Sequence, residues 1–210
     1  MNINIHDVYK IFQNFFRKRR MKVFIFLFQI NKSTKIIDIG GTPINWQYIE
    51  ANPNLLLVNI FMPKVLNKKF KYLVADGKQL PFVNQAFDIA YSNSVIEHLC
   101  DFEEQLKFAD EVQRIGKKYY VQTPNKYFPV EPHYITPFIH FFPKSVQKKL
   151  LRYFSIWGLI TKPSKESIEK IVNEINLLGP KEMKKLFPDS KVIFERFLLM
   201  TKSIIAIKCD

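Results

Sequence analysis

The stretch KIIDIGGTPINW, residues 35–46, decides the fold class because it joins a buried strand to a glycine turn. Its apolar, β-branched run at 36–39 is typical of a strand that is covered on both faces of a parallel sheet. Gly40 and Gly41 follow at once, and glycine lets a backbone approach a ligand where any Cβ would obstruct it. The carboxylate of Asp38 would lie at the mouth of the strand, where parallel sheets bind ligands. The pattern therefore predicts a ligand site at this turn.

From this stretch onward, strand patterns alternate with helix patterns along the chain. Such alternation predicts an α/β fold with a doubly wound, mostly parallel sheet of seven strands. The last two strands are separated by a short turn and predict an antiparallel C-terminal hairpin. The predicted strands are 36–39, 55–60, 70–74, 86–91, 118–122, 190–197 and 201–209, and the predicted helices are 101–115, 164–177 and one that opens at Pro180.

Two segments depart from this alternation, although we expect a single domain over residues 1–210. Residues 1–33 predict a helical extension, with one helix at 5–16, a basic cluster at 17–20 and a second helix at 21–30. A basic amphipathic helix can close one side of a core or lie on an anionic membrane. Residues 124–163 are rich in proline and aromatic residues and exceed an ordinary connection, which predicts a lid on the substrate side.

The composition of the chain indicates its cellular compartment more clearly than its function. The formal net charge of +13 is compatible with nucleic acid, an anionic membrane surface, an acidic substrate or a lysine-rich genome. Cys100 and Cys209 have no metal or disulfide spacing, which suits a reducing cytoplasm. The longest apolar run near the N-terminus is about half of the roughly 20 residues that span a bilayer. We expect a cytoplasmic protein without a signal peptide, with peripheral membrane contact as an open alternative.

Four stretches resemble the class I S-adenosylmethionine-dependent methyltransferases of type 11. They are DIGGTP at 38–43, VNI at 58–60, ADGKQLPFVNQAFDIAYSNSVIEHL at 75–99 and YYVQTPN at 119–125. The third is the most specific, because its acid, Leu-Pro-Phe, Phe-Asp and Glu-His fall at fixed spacing. The resemblance implies a Rossmann-like methyltransferase fold, S-adenosylmethionine as cofactor and methyl transfer to an acceptor.

The resemblance also implies where the cofactor binds. The amides of the glycine turn would face the methionine carboxylate, Asp76 would accept from the adenine amino group, and Gly77 would leave room for the ring. An acid normally ends the second strand and holds the ribose, but here Asn59 stands there and offers a weaker acceptor. The implied cofactor contacts are Asp38, Gly40, Gly41, Thr42, Asn59, Asp76, Gly77, Ser92 and Asn93.

Methyl transfer from a sulfonium needs alignment and, for a hydroxyl acceptor, a base. The candidates are Glu97, His98 and His133, and we favour His133 because it lies in the long insertion where a substrate would enter. In some relatives a Glu-x-x-Glu-His sequence binds a divalent metal, but Ser94 replaces the first carboxylate here. We therefore expect no metal and a small-molecule acceptor with an oxygen or nitrogen nucleophile.

Three other functions stay open. A nicotinamide-dependent dehydrogenase also uses a strand, a glycine turn and an acid, but it requires G-x-G-x-x-G, of which only a glycine pair is present. A non-catalytic or membrane-surface binding protein on the same fold is favoured by Asn59 and by the aromatic insertion. RNA modification is supported by the positive charge alone, so nucleic acid is a less favoured partner.

Overall fold

The computed structural model describes residues 5–209, with side chains from residue 14 onward. Its strands are β1 (Lys35–Ile39), β2 (Asn54–Asn59), β3 (Lys71–Val74), β4 (Phe87–Asn93), β5 (Gly116–Pro124), β6 (Val130–Glu131), β7 (Thr136–Pro137), β8 (Lys191–Phe197) and β9 (Met200–Lys208). Seven of them form one sheet in the order β3-β2-β1-β4-β5-β9-β8, and β6 pairs with β7 separately. Strands β1 to β5 are parallel, whereas β9 and β8 are antiparallel to their neighbours. The predicted fold class and terminal hairpin are confirmed.

The helices are α1 (Ile5–Phe28), α2 (Pro43–Trp46), α3 (Phe102–Ile115), α4 (Lys144–Phe154), α5 (Ile156–Thr161), α6 (Lys165–Glu174) and α7 (Pro180–Leu186), with 3-10 turns at Ile96–His98 and Ile139–Phe141. Capping chemistry sets several of their starts. The side chain of Asp101 accepts a hydrogen bond from the backbone N of Glu104, which satisfies one of the free amides at the start of α3. Pro180 occupies the first turn of α7, as predicted, where its missing N–H costs nothing.

The sheet is buried on both faces, which explains the nearly continuous apolar runs of its parallel strands. Helices α3 and α7 cover one face, and α1 and α2 cover the other. Representative buried residues of the first face are Ile37, Ile39, Phe108, Val112 and Met183, and those of the second are Met21, Phe24, Trp46, Tyr91 and Tyr120. The carboxyl ends of β1 to β5 stay uncovered by these helices and form the edge where a ligand can enter.

The N-terminal prediction of two helices was wrong, because α1 is one continuous helix of 24 residues. Arginine and lysine are good helix formers, so the basic cluster at 17–20 does not interrupt it. Phe16, Met21 and Phe24 are buried and pack the helix on the sheet, whereas Phe15 is 62% exposed. The predicted apolar side chains before residue 14 lie outside the described residues. Within residues 5–209, no helix has both the length and the apolarity to cross a bilayer.

The insertion at 124–163 contains the β6–β7 pair, the second 3-10 turn, α4 and α5. It builds a small core of its own with α6, formed by Tyr134, Ile139, Leu151, Ile168 and Val172. Hydrogen bonds tie its start to the sheet: the backbone N of Asn125 donates to the carbonyl of Lys202 at 3.0 Å. The insertion is therefore anchored beside the carboxyl end of β5. Its role as a lid stays a prediction.

Candidate active site

A cavity of about 300 Å³ lies at the carboxyl ends of β1, β4 and β5, and we call it the central cavity. This volume falls at the lower end of the range for small-molecule sites. The sheet edge lines it with Asp38, Gly40, Thr42, Asn93, Ser94 and Gln122, and the surrounding elements add Arg17, Arg20, Phe128, Pro132 and Lys202. It thus connects the glycine turn with the insertion, α1 and β9.

The glycine turn is shaped by close contacts that only glycine allows. Gly40 has a φ of 76°, and a Cβ there would lie 2.2 Å from Cγ2 of Val95. Its backbone N donates to the carbonyl of Val58 at 2.8 Å, and the N of Gly41 donates to the same oxygen at 3.2 Å. Both amides are therefore already hydrogen-bonded within the protein, and their contact with the methionine carboxylate stays a prediction. The turn allows the close approach that the glycines predicted.

Asp38 lies at the mouth of β1, as predicted, and only 1% of its surface is exposed. The indole Nε1 of Trp46 donates to its Oδ2 at 2.6 Å, and burial raises the pKa of Asp38 to about 8. Thr42 lines the cavity one residue before Pro43, which occupies the first turn of α2. Sequence reasoning did not assign Trp46 as the hydrogen-bond donor to Asp38. The signal was its position shortly after the glycine turn, which makes it the tryptophan nearest to Asp38 along the chain.

The other predicted cofactor residues lie along the neighbouring edge formed by β2 and β3. Asn59 accepts at Oδ1 from the next backbone amide at 2.9 Å, so its NH₂ is the group left to meet a ribose hydroxyl. Asp76 accepts at Oδ1 from the backbone N of Lys78 at 2.9 Å. A Cβ at Gly77 would lie 2.7 Å from Cγ2 of Ile39. Packing against the sheet therefore requires glycine at position 77, a constraint separate from the predicted space for adenine.

Two predicted cofactor residues, Ser92 and Asn93, lie at the end of β4 and make different contacts. The hydroxyl of Ser92 is buried and donates to the carbonyl of Ile39 at 3.0 Å, so it holds β4 against β1. Asn93 lines the cavity, and its buried Oδ1 has no hydrogen-bond partner in the described part of the chain. An unsatisfied buried acceptor costs roughly 1–3 kcal/mol. Asn93 can therefore accept a hydrogen bond from a ligand. The Ser92 hydroxyl is already used within the sheet, and the predicted contact of its backbone carbonyl with the cofactor stays a prediction.

The three predicted catalytic side chains come together beside this strand end. One ligand atom each from Glu97, His98 and His133 lie within 4.8 Å of one another. Glu97 is fully buried; its Oε2 accepts from the hydroxyl of Thr123 at 2.9 Å, and burial raises its pKa to about 7. Partial burial and the neighbouring His133 lower the pKa of His98 to about 4. The other carboxylate oxygen of Glu97, Oε1, has no hydrogen-bond partner among the described residues, so its catalytic role stays a prediction.

His133 has a buried carboxylate partner that sequence reasoning did not assign. Its Nδ1 lies 2.6 Å from Oε1 of Glu131, whose Oε2 accepts from the backbone N of Tyr134 at 2.7 Å. Burial alone would lower the pKa of His133, but the hydrogen bond and charge of Glu131, with the charge of Glu97, raise it above its ordinary value. A carboxylate on Nδ1 fixes the ring and leaves Nε2 as the proton acceptor.

Comparison with known proteins supports a methyltransferase. Residues 46–119, which contain β2 to β4 and α3 and make up about a third of the chain, match the methyltransferase domain family. The sheet order and the antiparallel terminal pair agree with the fold of S-adenosylmethionine-dependent methyltransferase structures. The methyltransferase resemblance, the enzyme class and S-adenosylmethionine as its cofactor, all predicted from the sequence, are confirmed at this level.

Individual relatives of this methyltransferase domain cover different parts of it. It is 28% identical over 114 residues to a tRNA (carboxymethyluridine(34)-5-O)-methyltransferase of Saccharomyces cerevisiae, which is 49% of this chain and 40% of the yeast protein. A methyltransferase structure from Archaeoglobus fulgidus has a TM-score of 0.57 at 16% identity and covers 93% of this chain and 94% of its own. A Rhodobacter sphaeroides structure described as a zinc-dependent alcohol dehydrogenase has a TM-score of 0.60 at 11% identity, covering 90% and 88%. At such identities the structural likeness shows the fold alone.

The methyltransferase domain also has donor atoms that suit a metal ion. The expected absence of a metal rested on Ser94 replacing a carboxylate, whereas His133 brings a third donor from the insertion to Glu97 and His98. One carboxylate and two imidazoles suit a transition metal as well as proton transfer. The absence of a metal therefore stays a prediction.

Proposed function

We propose that this protein transfers a methyl group from S-adenosylmethionine to a small-molecule acceptor through an oxygen or nitrogen nucleophile. The observation that carries the proposal is the central cavity, because one cavity joins the glycine turn at Gly40 to the insertion at Phe128 and Pro132. A donor held at the turn and an acceptor held under the insertion would share that space. Alignment of the two reactants is the main requirement of the transfer.

The cofactor would bind along the edge formed by β1 to β4. Its ammonium group would be met by Asp38 and by the unpaired Oδ1 of Asn93, two acceptors that line the cavity. Asp76 would accept from the adenine amino group, and the NH₂ of Asn59 would donate to a ribose hydroxyl. The cofactor supplies an electrophilic methyl group on a sulfonium, and the residues of this chain orient it and exclude water.

His133 would act as the base for the acceptor. Its Nε2 would accept the O–H or N–H proton of the acceptor, and the bound cofactor would supply the methyl group. Glu131 holds Nδ1 and stabilises the imidazolium that results. Glu97 and His98 would act as positioning residues, because the first is buried and the second packs edge-on against the ring of His133 at 4.8 Å.

Native mass spectrometry of the purified protein tests the cofactor class. We expect a mass increase that matches S-adenosylmethionine or S-adenosylhomocysteine after incubation with either compound. A mass increase with a nicotinamide dinucleotide, and none with S-adenosylmethionine, would instead support the dehydrogenase alternative.

RNA is the second candidate acceptor, favoured by the name of the yeast relative and by the net charge of +13. Incubation with tritiated S-adenosylmethionine separates the two acceptor classes, using total tRNA in one reaction and a low-molecular-mass cell extract in another. The proposal predicts label in the low-molecular-mass fraction. Label in tRNA alone would replace the small-molecule acceptor with RNA.

A membrane-surface role is favoured by aromatic side chains that the insertion exposes. Phe138, Phe141 and Phe142 are each at least half exposed, and Lys148 and Lys149 lie on the adjoining helix α4. Aromatic and basic residues together favour an anionic lipid surface. Sedimentation with vesicles of phosphatidylcholine, with and without phosphatidylserine, tests this contact: binding that requires phosphatidylserine would support it.

A further inference from the structure

The turn of the C-terminal hairpin exposes apolar side chains that a turn facing water does not favour. Strands β8 and β9 are joined by Leu198 and Leu199, which are 76% and 98% exposed, and Met200 next to them is also exposed. We call Leu198, Leu199 and Met200 the hairpin tip. Two-residue hairpin turns usually carry glycine, asparagine or aspartate. The hairpin tip therefore departs from the usual turn residues toward apolar ones.

The backbone of the hairpin tip makes this departure costly. Leu198 has a φ of 53°, in the left-handed region that glycine adopts freely and that disfavours a residue with a Cβ. Because the side chain of Leu198 is exposed, packing within the chain offsets little of that cost. Strained backbone of this kind is concentrated at functional sites. The strain and the exposure together indicate that the hairpin tip makes a contact outside this chain.

Helix α1 extends the apolar surface beside the hairpin tip. The ring centroid of Phe16 lies 5.8 Å from that of Phe197, the last residue of β8 before the turn. The ion pair between Arg20 and Glu195, at 2.9 Å, holds the next turn of α1 against the same strand. Phe15 lies beside Phe16 but is exposed. Phe15 and the hairpin tip thus belong to one side of the molecule.

The charges around this surface have one sign. Lys18 and Arg19 are exposed and follow Phe15 at helical spacing, and Arg196 is exposed on β8. Residues 14–28 contain no acid, and residues 191–208 contain only Glu195, which is buried and paired with Arg20. Two copies of this chain that met through this surface would bring like charges together. The charge therefore favours an anionic partner.

The hairpin tip projects from the edge of the sheet where the central cavity opens. Ser203 near the start of β9 pairs with Pro124 at the end of β5, and both residues line that cavity. The insertion at the same edge repeats the unusual turn, because Phe138 is exposed and has a φ of 62°. Two strained apolar turns therefore border one side of the protein.

We propose that the hairpin tip inserts into an anionic lipid bilayer, with Phe15 beside it. Its apolar side chains enter the bilayer, while Lys18, Arg19 and Arg196 meet the anionic headgroups. The inference goes beyond the proposed function, because it assigns a docking surface and turns the mouth of the central cavity toward the bilayer. The exposed aromatic side chains of the insertion would form a second contact with the same bilayer.

Sedimentation with vesicles of phosphatidylcholine and phosphatidylserine tests the hairpin tip in the full chain. Leu199→Asn removes one apolar side chain, and Leu66→Asn is its matched control. Leu66 is also an exposed leucine, but it precedes β3 at the opposite edge of the sheet. We expect wild type and Leu66→Asn to bind equally and Leu199→Asn to bind at least about tenfold more weakly.

A charge pair tests the headgroup contact in the same assay. Arg19→Gln should weaken binding about fivefold, whereas Lys68→Gln, which removes an exposed charge next to β3, should leave it unchanged. Added salt should weaken binding by wild type, because it screens the attraction between cations and headgroups.

Leu198→Gly separates the contact from the stability of the fold. Glycine relieves the left-handed strain at this position and also removes the apolar side chain. We therefore expect a higher melting temperature together with weaker vesicle binding. A higher melting temperature with unchanged binding would overturn the role of the hairpin tip.

Other outcomes would also overturn the inference. They are absent vesicle binding by wild type, equal weakening in Leu199→Asn and Leu66→Asn, and binding that survives Leu199→Asn but is lost in Phe142→Ser, which would assign the contact to the insertion alone. A wild-type dimer that Leu199→Asn converts to a monomer in sedimentation velocity would assign the hairpin tip to a second copy. Failure of wild type to bind S-adenosylhomocysteine would refute the proposed function and leave this inference standing.

Discussion

Replacing Gly40 with alanine should destabilise the fold by about 2–5 kcal/mol. The φ of 76° is left-handed, which costs a residue with a Cβ about 1–2 kcal/mol. The new Cβ would also lie 2.2 Å from Cγ2 of Val95, and overpacking of this kind costs about 1–3 kcal/mol. The two terms act on the same residue but have different causes, so they can be separated.

Urea unfolding of a double-mutant cycle separates them. In a Val95→Ala background the clash is relieved, and Gly40→Ala should then cost only the backbone term of about 1–2 kcal/mol. The cycle should therefore give a coupling free energy of about 1–3 kcal/mol. Additive effects of the two substitutions, or a cost below about 1 kcal/mol for Gly40→Ala alone, would refute this account of the turn.

Three further predictions concern the site. Asn59→Asp should tighten binding of S-adenosylhomocysteine roughly tenfold in calorimetry, because a carboxylate is the stronger acceptor for ribose hydroxyls; unchanged affinity would place the ribose elsewhere. Once an acceptor is identified, the methyl-transfer rate should rise with pH through an apparent pKa above the ordinary histidine value. The reason is that His133 must be neutral to take a proton and its pKa is raised. An identical pH profile in His133→Ala would exclude His133 as the base. Trp46→Phe should lower the free energy of unfolding by about 1–3 kcal/mol because it leaves buried Asp38 without its donor, and an equal loss in Trp157→Phe would attribute the effect to ring volume.

The sequence was sufficient for the sheet and most helices, because hydrophobic period and capping are local signals. The start of α3 at Asp101 and the proline that opens α7 are examples. The predicted break within α1 was wrong. The charge cluster at 17–20 resembles the end of a helix, but its arginine and lysine residues favour helix and continue it.

The site was less accessible to sequence reasoning, because its contacts depend on which strands become neighbours. The backbone amides of Gly40 and Gly41 donate to the carbonyl of Val58, and these hydrogen bonds form only once β1 lies beside β2. Lys202 and Arg17 are 185 positions apart and line the same cavity only when the terminal hairpin completes the sheet. A buried acid such as Glu131 likewise gives no sequence signal of its burial.

Binding of S-adenosylhomocysteine to wild type and to Asp76→Ala tests the central claim most directly. Asp110→Ala is a matched control, because Asp110 is exposed on α3 and loses the same charge. The account predicts one calorimetric site in wild type and in Asp110→Ala, and no detectable binding in Asp76→Ala despite an unchanged circular dichroism spectrum. Equal affinity in all three proteins, or no binding by wild type, would contradict it.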